Sequence, residues 1–195
     1  MNRKRAAGRK YRAGERLDLS AVRTPFGTLG VAATTRGIAS VFTLGPEGRI
    51  TPARVNREPA LARRIRAGAE FIIHRTRSTH PPALARAVAA LSAYASGASR
   101  RVRAQFDLDG TPFQVAVWKR LTGIPFGRTT TYGELAASLG RPRASRAVGA
   151  AVGANPVGIL IPCHRVVGSN GALTGFGWGL PMKRALLRHE GSAIT

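Results

Sequence analysis

The segment TYGELAASLGRPRASRAVGAAVGANPVGILIPCHRV, Thr131 to Val166, carries the features that decide the fold. Thr131 and Glu134 stand three apart ahead of Leu135-Ala136-Ala137-Ser138-Leu139, the spacing of a capping box that opens a short helix, and Gly140 closes it. Arg141-Pro142-Arg143 then starts a second helix carrying Ala147, Val148, Ala151 and Val152, which Asn155-Pro156 ends. Two helices joined across a tight glycine turn have the pattern of a helix-turn-helix. The apolar run Gly158-Ile159-Leu160-Ile161 is predicted as a buried strand leading into Pro162-Cys163-His164-Arg165-Val166.

Upstream, Thr111 with Pro112 at a first helical position opens a helix bearing Phe113, Val117 and Leu121, and Gly123-Ile124-Pro125 ends it. In the N-terminal half, two apolar runs between Leu29 and Leu44 flank Thr35-Arg36-Gly37, the mark of a β-hairpin. Helical spacing follows over residues 59–77 (Leu61, Ile65, Ala69, Ile72) and again over 82–96 (Leu84, Val88, Leu91, Ala95). Val102, Ala104, Phe106 and Leu108 alternate with polar residues, as in a half-buried strand. The expected organisation is a basic arm over 1–16, an α/β domain over 17–108 and a mainly α domain with the helix-turn-helix over 109–195.

The chain has 195 residues, 44% of them hydrophobic, which suffices for a core and argues against global disorder. No apolar run approaches the ~18–20 residues of a spanning helix. Met1-Asn2-Arg3-Lys4-Arg5 lacks the apolar stretch of a secretory signal, so a cytoplasmic protein is expected; an Arg-rich leader also has the composition of a transit peptide. The single cysteine, Cys163, excludes an internal disulfide framework and a Cys-rich zinc site. Lys and Arg number 31 against 9 Asp and Glu, a net charge of +22. A polyanion relieves such self-repulsion and releases counterions, which makes nucleic acid the first partner to consider. Because 27 of the cations are Arg, a compositional habit of the genome is the other source. The first sixteen residues hold seven Lys or Arg and read either as a solvated tail or as an arm that touches nucleic acid.

A helix that reads bases needs Arg, Asn or Gln at several positions, whereas the second helix of the pair offers mostly Ala and Gly. Ala147, Gly149, Ala150, Ala151 and Gly153 leave a slender surface that fits a minor-groove seat. Arg143 and Arg146, three apart, would share a face near its positive end, for phosphate contact or insertion. An Ala-rich core helix with solvated arginines satisfies the same letters. Cys163 likewise reads two ways, as a small buried hydrophobe or as a nucleophile. For the second, Pro162 turns the chain sharply, His164 is adjacent, and His189-Glu190 supplies an orienting carboxylate. An imidazole that takes the proton raises the thiolate fraction of a group whose free pKa is ~8.5. Neighbours in an extended segment face opposite ways, which routes a Cys163 to His164 proton path through water.

Further blocks extend the segment: Thr111-Pro112-Phe113-Gln114 with Val117-Trp118, Ile124-Pro125-Phe126-Gly127, Thr131-Tyr132-Gly133-Glu134-Leu135-Ala136, Ser145-Arg146-Ala147-Val148-Gly149, Asn155-Pro156, and Ile161-Pro162-Cys163-His164-Arg165-Val166. Leu173-Thr174-Gly175-Phe176, Lys183 and Leu186-Leu187-Arg188-His189-Glu190-Gly191 follow. In order and spacing they resemble the C-terminal domain of O6-alkylguanine-DNA alkyltransferases, also called methylated-DNA–protein-cysteine methyltransferases. The resemblance implies a winged-helix-like C-terminal domain and a ribonuclease-H-like α/β N-terminal domain, with Thr24-Pro25-Phe26-Gly27 similar to its usual opening.

It also implies irreversible, stoichiometric DNA repair, in which Cys163 takes the alkyl group from O6-alkylguanine in double-stranded DNA, with O4-methylthymine as a second lesion. In that scheme His164, polarised by Glu190, activates Cys163. Tyr132 assists protonation of the leaving guanine, Arg146 enters the duplex, and Asn155 braces the turn before the active site. DNA contacts would fall to Tyr132, Arg143, Arg146, Ala147 and Ala151, and the base pocket to Val166, Thr174, Gly175, Phe176, Gly177 and Trp178. No metal, cofactor, membrane or obligate protein partner is implied. A monomer in the cytoplasm, on the nucleoid in a bacterium, is expected. The chain departs from many relatives at Phe176, where they carry Tyr, at Trp178, where they carry a small residue, and at Gly177, a Ser in some. Two rivals stay open: a lesion-binding relative without transfer, against which Cys163 argues, and a Cys-His hydrolase.

Overall fold

The computed structural model describes residues 14–193. Most of the arm expected over 1–16 lies outside the described residues, and its end is corrected: Glu15 is buried and Arg16 opens the first strand. Strands β1 (Arg16–Thr24), β2 (Gly27–Thr34) and β3 (Gly37–Thr43) form an antiparallel meander. β4 (Glu70–Ile73) joins β1 in parallel, giving the order β3-β2-β1-β4. The predicted hairpin is β2–β3. Helices α1 (Pro52–Arg57) and α2 (Pro59–Arg66) cover one face, where Leu17, Leu19, Phe42, Val55 and Leu61 form a core. The other face packs against α3 (Pro82–Ala95).

The helix expected over 59–77 is corrected to a helix, a turn and a strand. α2 stops at Arg66 and Gly68 takes a φ of 92°, a conformation that only glycine adopts without strain. Phe71-Ile72-Ile73 then fit a pleated, half-buried surface, so pairing with β1 wins over helical spacing. The strand expected over 102–108 alternates half-buried and exposed residues only as far as Phe106, since Asp107 is buried, and among the described residues its one bridge is from Phe106 to Ile38 of β3. Its Asp107 joins a buried cluster in which Arg64 Nη1 lies 2.9 Å from the Asp107 carboxylate and 3.1 Å from Glu15.

The C-terminal half contains α4 (Pro112–Leu121), α5 (Tyr132–Ser138), α6 (Ser145–Gly153) and α7 (Leu180–His189). Two short parallel strands, β5 (Thr130–Thr131) and β6 (Val166–Val167), lie among them. Capping boxes open α4 at Thr111 and α5 at Thr131. α5 and α6 are the predicted helix pair, but α6 begins at Ser145, because Pro142 and Arg143 form a turn. Arg143 is therefore outside the helix face it was expected to share with Arg146.

The strand expected over 158–161 is a turn. Leu160 N donates to Gly158 O and Ile161 N to Val157 O, and Ile159 takes a φ of 68°. That conformation costs a β-branched residue ~1–3 kcal/mol, so its surroundings must hold it. Asn155 does so, donating from Nδ2 to Ile161 O at 2.8 Å and accepting from Val157 N at 3.1 Å. From the sheet, Val41 N and Ser40 Oγ donate to Pro156 O at 2.9 and 3.0 Å.

The two halves share one core. Val31, Ile38 and Val41 of the sheet and Leu91 and Tyr94 of α3 pack in a single cluster with Trp118, Val148, Val152 and Leu186. No described helix is long and apolar enough to cross a membrane.

Candidate active site

The turn held by Asn155 delivers the chain through Pro162 into a single 3-10 turn, Cys163–Arg165. Cys163 is 8% exposed and lies beside a cavity of about 50 Å³, whose other walls include Val152, Gly153, Asn155, Gly158, Gly175, Phe176, Gly177 and Trp178. The cavity is narrow, with room for only a few water molecules. Trp178 narrows one side. Its ring lies on Gly158, where a Cβ would come within 2.5 Å of it, and it meets Phe176 edge-on with centroids 5.8 Å apart. Val166 and Thr174, expected in the pocket wall, are corrected: Val166 is fully buried in β6, and neither borders the cavity.

Burial pushes the Cys163 thiol up in pKa, and the Asn155 side chain and the Lys183 charge only oppose that shift. The thiolate expected from the sequence is thus not the resting form. His164 is wholly buried, which lowers its pKa despite the neighbouring carboxylate. Its Nε2 lies 2.7 Å from Glu190 Oε1. Glu190 also accepts from the Tyr94 hydroxyl at 2.7 Å, from Arg165 Nε and Nη2 at 2.9 Å each, and from Gly127 N at 3.1 Å. Burial alone would raise this carboxyl; the hydrogen bonds from His164 and Arg165 and the Arg165 charge bring it down to about 2.

An ionised carboxylate can only accept, so Nε2 carries the imidazole hydrogen and Nδ1 is a lone pair. Nδ1 is buried without a hydrogen-bond partner. The site therefore pairs a neutral thiol with a neutral base whose free lone pair and tautomer are fixed by Glu190. Gly127 reaches the carboxylate only because it adopts a φ of 76°, and a Cβ there would sit 2.9 Å from Glu190 O.

Three members of this site were not given roles from the sequence. Arg165 and Tyr94 hold Glu190, and Tyr94 comes from α3, 96 residues away, with no local signal. Lys183 is fully buried and donates to Val166 O at 2.6 Å and Thr174 O at 2.7 Å. Burial lowers its pKa to about 8. Its signal was available: Lys183 shares the buried stripe of α7 with Leu186 and Leu187, where an apolar residue would ordinarily sit.

Tyr132, the first residue of α5, places its hydroxyl 3.4 Å from Thr174 O, and burial raises its pKa, so it retains its proton. On α6, Arg146, Ala147, Ala150 and Gly153 are exposed and end beside the cavity wall. The helix N-terminus has no side-chain cap, which leaves its N–H groups open to an anion. Ala151 is a correction: it is 3% exposed, faces the core, and its carbonyl accepts from Trp118 Nε1 at 2.7 Å. Among the described residues no group of three or more His, Cys, Asp or Glu is placed to hold a metal.

These features define a class of α/β protein in which one thiol, backed by a His-Glu pair, borders a cavity beside a helix pair with a slender outer face. Residues 112–192 match the family described as 6-O-methylguanine DNA methyltransferase, DNA binding domain. A methylated-DNA–protein-cysteine methyltransferase of Mycobacterium tuberculosis is 51% identical over 112 residues, 57% of this chain and 68% of the relative. That of Mycolicibacterium paratuberculosis is 43% identical over 155 residues, 77% of this chain and 93% of the relative. The crystal structure of Mycobacterium tuberculosis OGT in complex with DNA superposes with a TM-score of 0.70 at 36% identity, covering 89% of this chain and 93% of that one. The chain belongs to the methylated-DNA–protein-cysteine methyltransferase family.

Proposed function

We propose that this protein repairs O6-alkylguanine in duplex DNA by moving the alkyl group onto Cys163, once and irreversibly. The observation that carries the reading is the position of Cys163. It lies between the exposed face of α6 and a buried His164–Glu190 pair, at a cavity that α6 and the 175–178 loop share. A slender helix with no base-reading side chains suits a lesion that occurs in any sequence. Arg146 fills the gap left by the extruded nucleotide, whose unstacking costs a few kcal/mol. Arg143 and the open N-terminus of α6 hold phosphate, and Ala147 allows close approach.

In the reaction the Cys163 proton passes by way of a water to His164 Nδ1 as the base enters, with the Lys183 charge favouring the thiolate. Sulfur forms a bond to the alkyl carbon while the bond from that carbon to O6 breaks, its electron pair staying on the purine. Tyr132 gives the purine a proton and regains one by way of solvent from His164. The net exchange is a thiol for a thioether and an alkylguanine for guanine. A carbon–sulfur bond leaves no route back, and Cys163 has no second cysteine to resolve it. Asn155 keeps the sulfur in place, and Gly175, Phe176, Gly177 and Trp178 form the base pocket. O4-methylthymine is a second substrate.

The N-terminal half is read as ribonuclease-H-like and the C-terminal half as winged-helix-like, with the division near residues 108–109. The protein works as a monomer, without metal or cofactor, in the cytoplasm and on the nucleoid of a bacterial host. Mass spectrometry after incubation with O6-methylguanine duplex tests this reading: Cys163 gains ~14 Da and transfer stops at one equivalent. Cys163→Ala gains nothing and still binds the lesion duplex. Repeated turnover would favour a hydrolase, and binding without mass gain a lesion-recognition module.

A further inference from the structure

Two open grooves, of about 480 and 540 Å³, meet at Arg103, and the first reaches the active-site turn at Pro162 and Arg165. The first runs between the segment 100–106 and the start of the active-site turn, and contains Arg100, Arg101, Arg103, Phe126 and Arg165. The second runs between the same segment and α3, and contains Arg86, Arg103 and Gln105. Neither includes an Asp or Glu, and neither includes any residue of α5, α6 or the 174–178 loop. Arg86, Arg100, Arg101 and Arg103 are all exposed, and among the described residues none of the four makes an ion pair.

The segment explains the display. Val102, Ala104 and Phe106 are half-buried against the core while Arg101, Arg103 and Gln105 are exposed, so Arg101 and Arg103 stand on the same outer edge. Phe126 gives the track an aromatic wall, with the Arg100 and Arg165 guanidiniums 5.9 and 5.8 Å from its ring centroid. Arg165 is already bound to Glu190, whereas among the described residues the side chains of Arg86, Arg101 and Arg103 meet no hydrogen-bond acceptor and stay open to a ligand. A row of planar cations in a channel without acids, on a chain of net charge +22, selects a phosphodiester backbone.

We propose that Arg86, Arg103, Arg101 and Arg100 form a second, sequence-independent phosphate track that holds a DNA segment other than the lesion duplex. Because duplex DNA is stiff over ~150 bp, a surface separate from α6 takes another duplex or a distant part of the same molecule. The protein thus bridges two DNA segments. The proposal takes its class of partner from the repair reading but is tested apart from it.

The test loads the full chain onto a bead-bound lesion duplex of 16 bp and titrates a labelled, undamaged duplex of the same length. The variant Arg86→Gln/Arg101→Gln/Arg103→Gln is compared with wild type, together with its alkyl transfer and thermal midpoint. For three phosphate contacts, the slope of log affinity against log salt for the second duplex falls by about 2.7 in the variant. Capture at low salt falls at least tenfold, while transfer to Cys163 and the thermal midpoint stay as in wild type. Equal capture and equal slope in both proteins would overturn the proposal. So would a matching fall in slope for the lesion duplex itself, which would place these arginines in the primary footprint. Loss of transfer in wild type would instead defeat the repair reading and leave the bridging result to stand on its own.

Discussion

Replacing Glu190 with Gln isolates the electrostatic centre of the site. The carboxylate accepts five hydrogen bonds and is 6% exposed, with a pKa brought from an ordinary 4.5 to about 2. A depression of that size corresponds to about 3 kcal/mol of folding stability. The contribution is complete above pH ~4.5, where the group is ionised in both folded and unfolded chains. As pH falls toward 2 the unfolded chain takes up the proton first, and the contribution drains away. At pH 7 Glu190→Gln leaves the Arg165 guanidinium buried without its counter-charge, at a cost of about 3–5 kcal/mol.

Urea unfolding of both proteins at pH 7, 5, 4 and 3 measures the gap. It is expected to be widest at neutral pH and to narrow by about 3 kcal/mol between pH 5 and 2, most of it resolvable by pH 3. Asp107, also held below the ordinary carboxylate range, loses stability over the same window in both proteins and cancels in the difference. His164, kept neutral by burial, adds a loss that begins below pH ~6.5 and is read separately above pH 5. A gap of constant width from pH 7 to 3 would refute the claim that Glu190 is an ionised, depressed carboxylate that fixes the His164 tautomer.

Tyr132→Phe removes the proton donor and should slow transfer about 10²-fold in single-turnover kinetics with lesion affinity unchanged; an unaltered rate would contradict its role. Arg146→Ala should slow repair of a duplex at least tenfold more than repair of a single-stranded lesion oligonucleotide, since only the duplex has a gap to fill. Equal slowing would contradict insertion. Trp178→Gly should raise the ratio of O6-benzylguanine to O6-methylguanine repair about tenfold, or ~1.4 kcal/mol, because the ring resting on Gly158 is gone. An unchanged ratio would show that another residue limits the pocket.

What could be read from the letters divides by the range of the interactions. The capping boxes at Thr111 and Thr131 are local, and both helices start where these residues place them. The Thr35-Arg36 turn is equally local and also forms. β4 was taken for helix because its pairing with β1 joins residues more than fifty positions apart, which no window of spacing registers. The 158–161 turn misled for a related reason. Four apolar residues suggest a strand, and only the Asn155 brace and the β3 contact at Pro156 impose the other conformation. Cys163, His164 and Glu190 were legible as a set, whereas Tyr94 was not, since its role depends on α3 folding against the C-terminal half. Trp178 was visible as an unusual residue, and its seat on Gly158 needed three dimensions.

The clamp from Ser40 and Val41 onto Pro156 makes this chain hard to dissect. Cutting it near residue 109 would strip the sheet from Val157 and the Asn155 turn and bare an oily wall around Trp118 and Val148. The segment that carries the chemistry is therefore not a portable cassette. Its N-terminal companion acts as a splint for the turn that leads to Cys163.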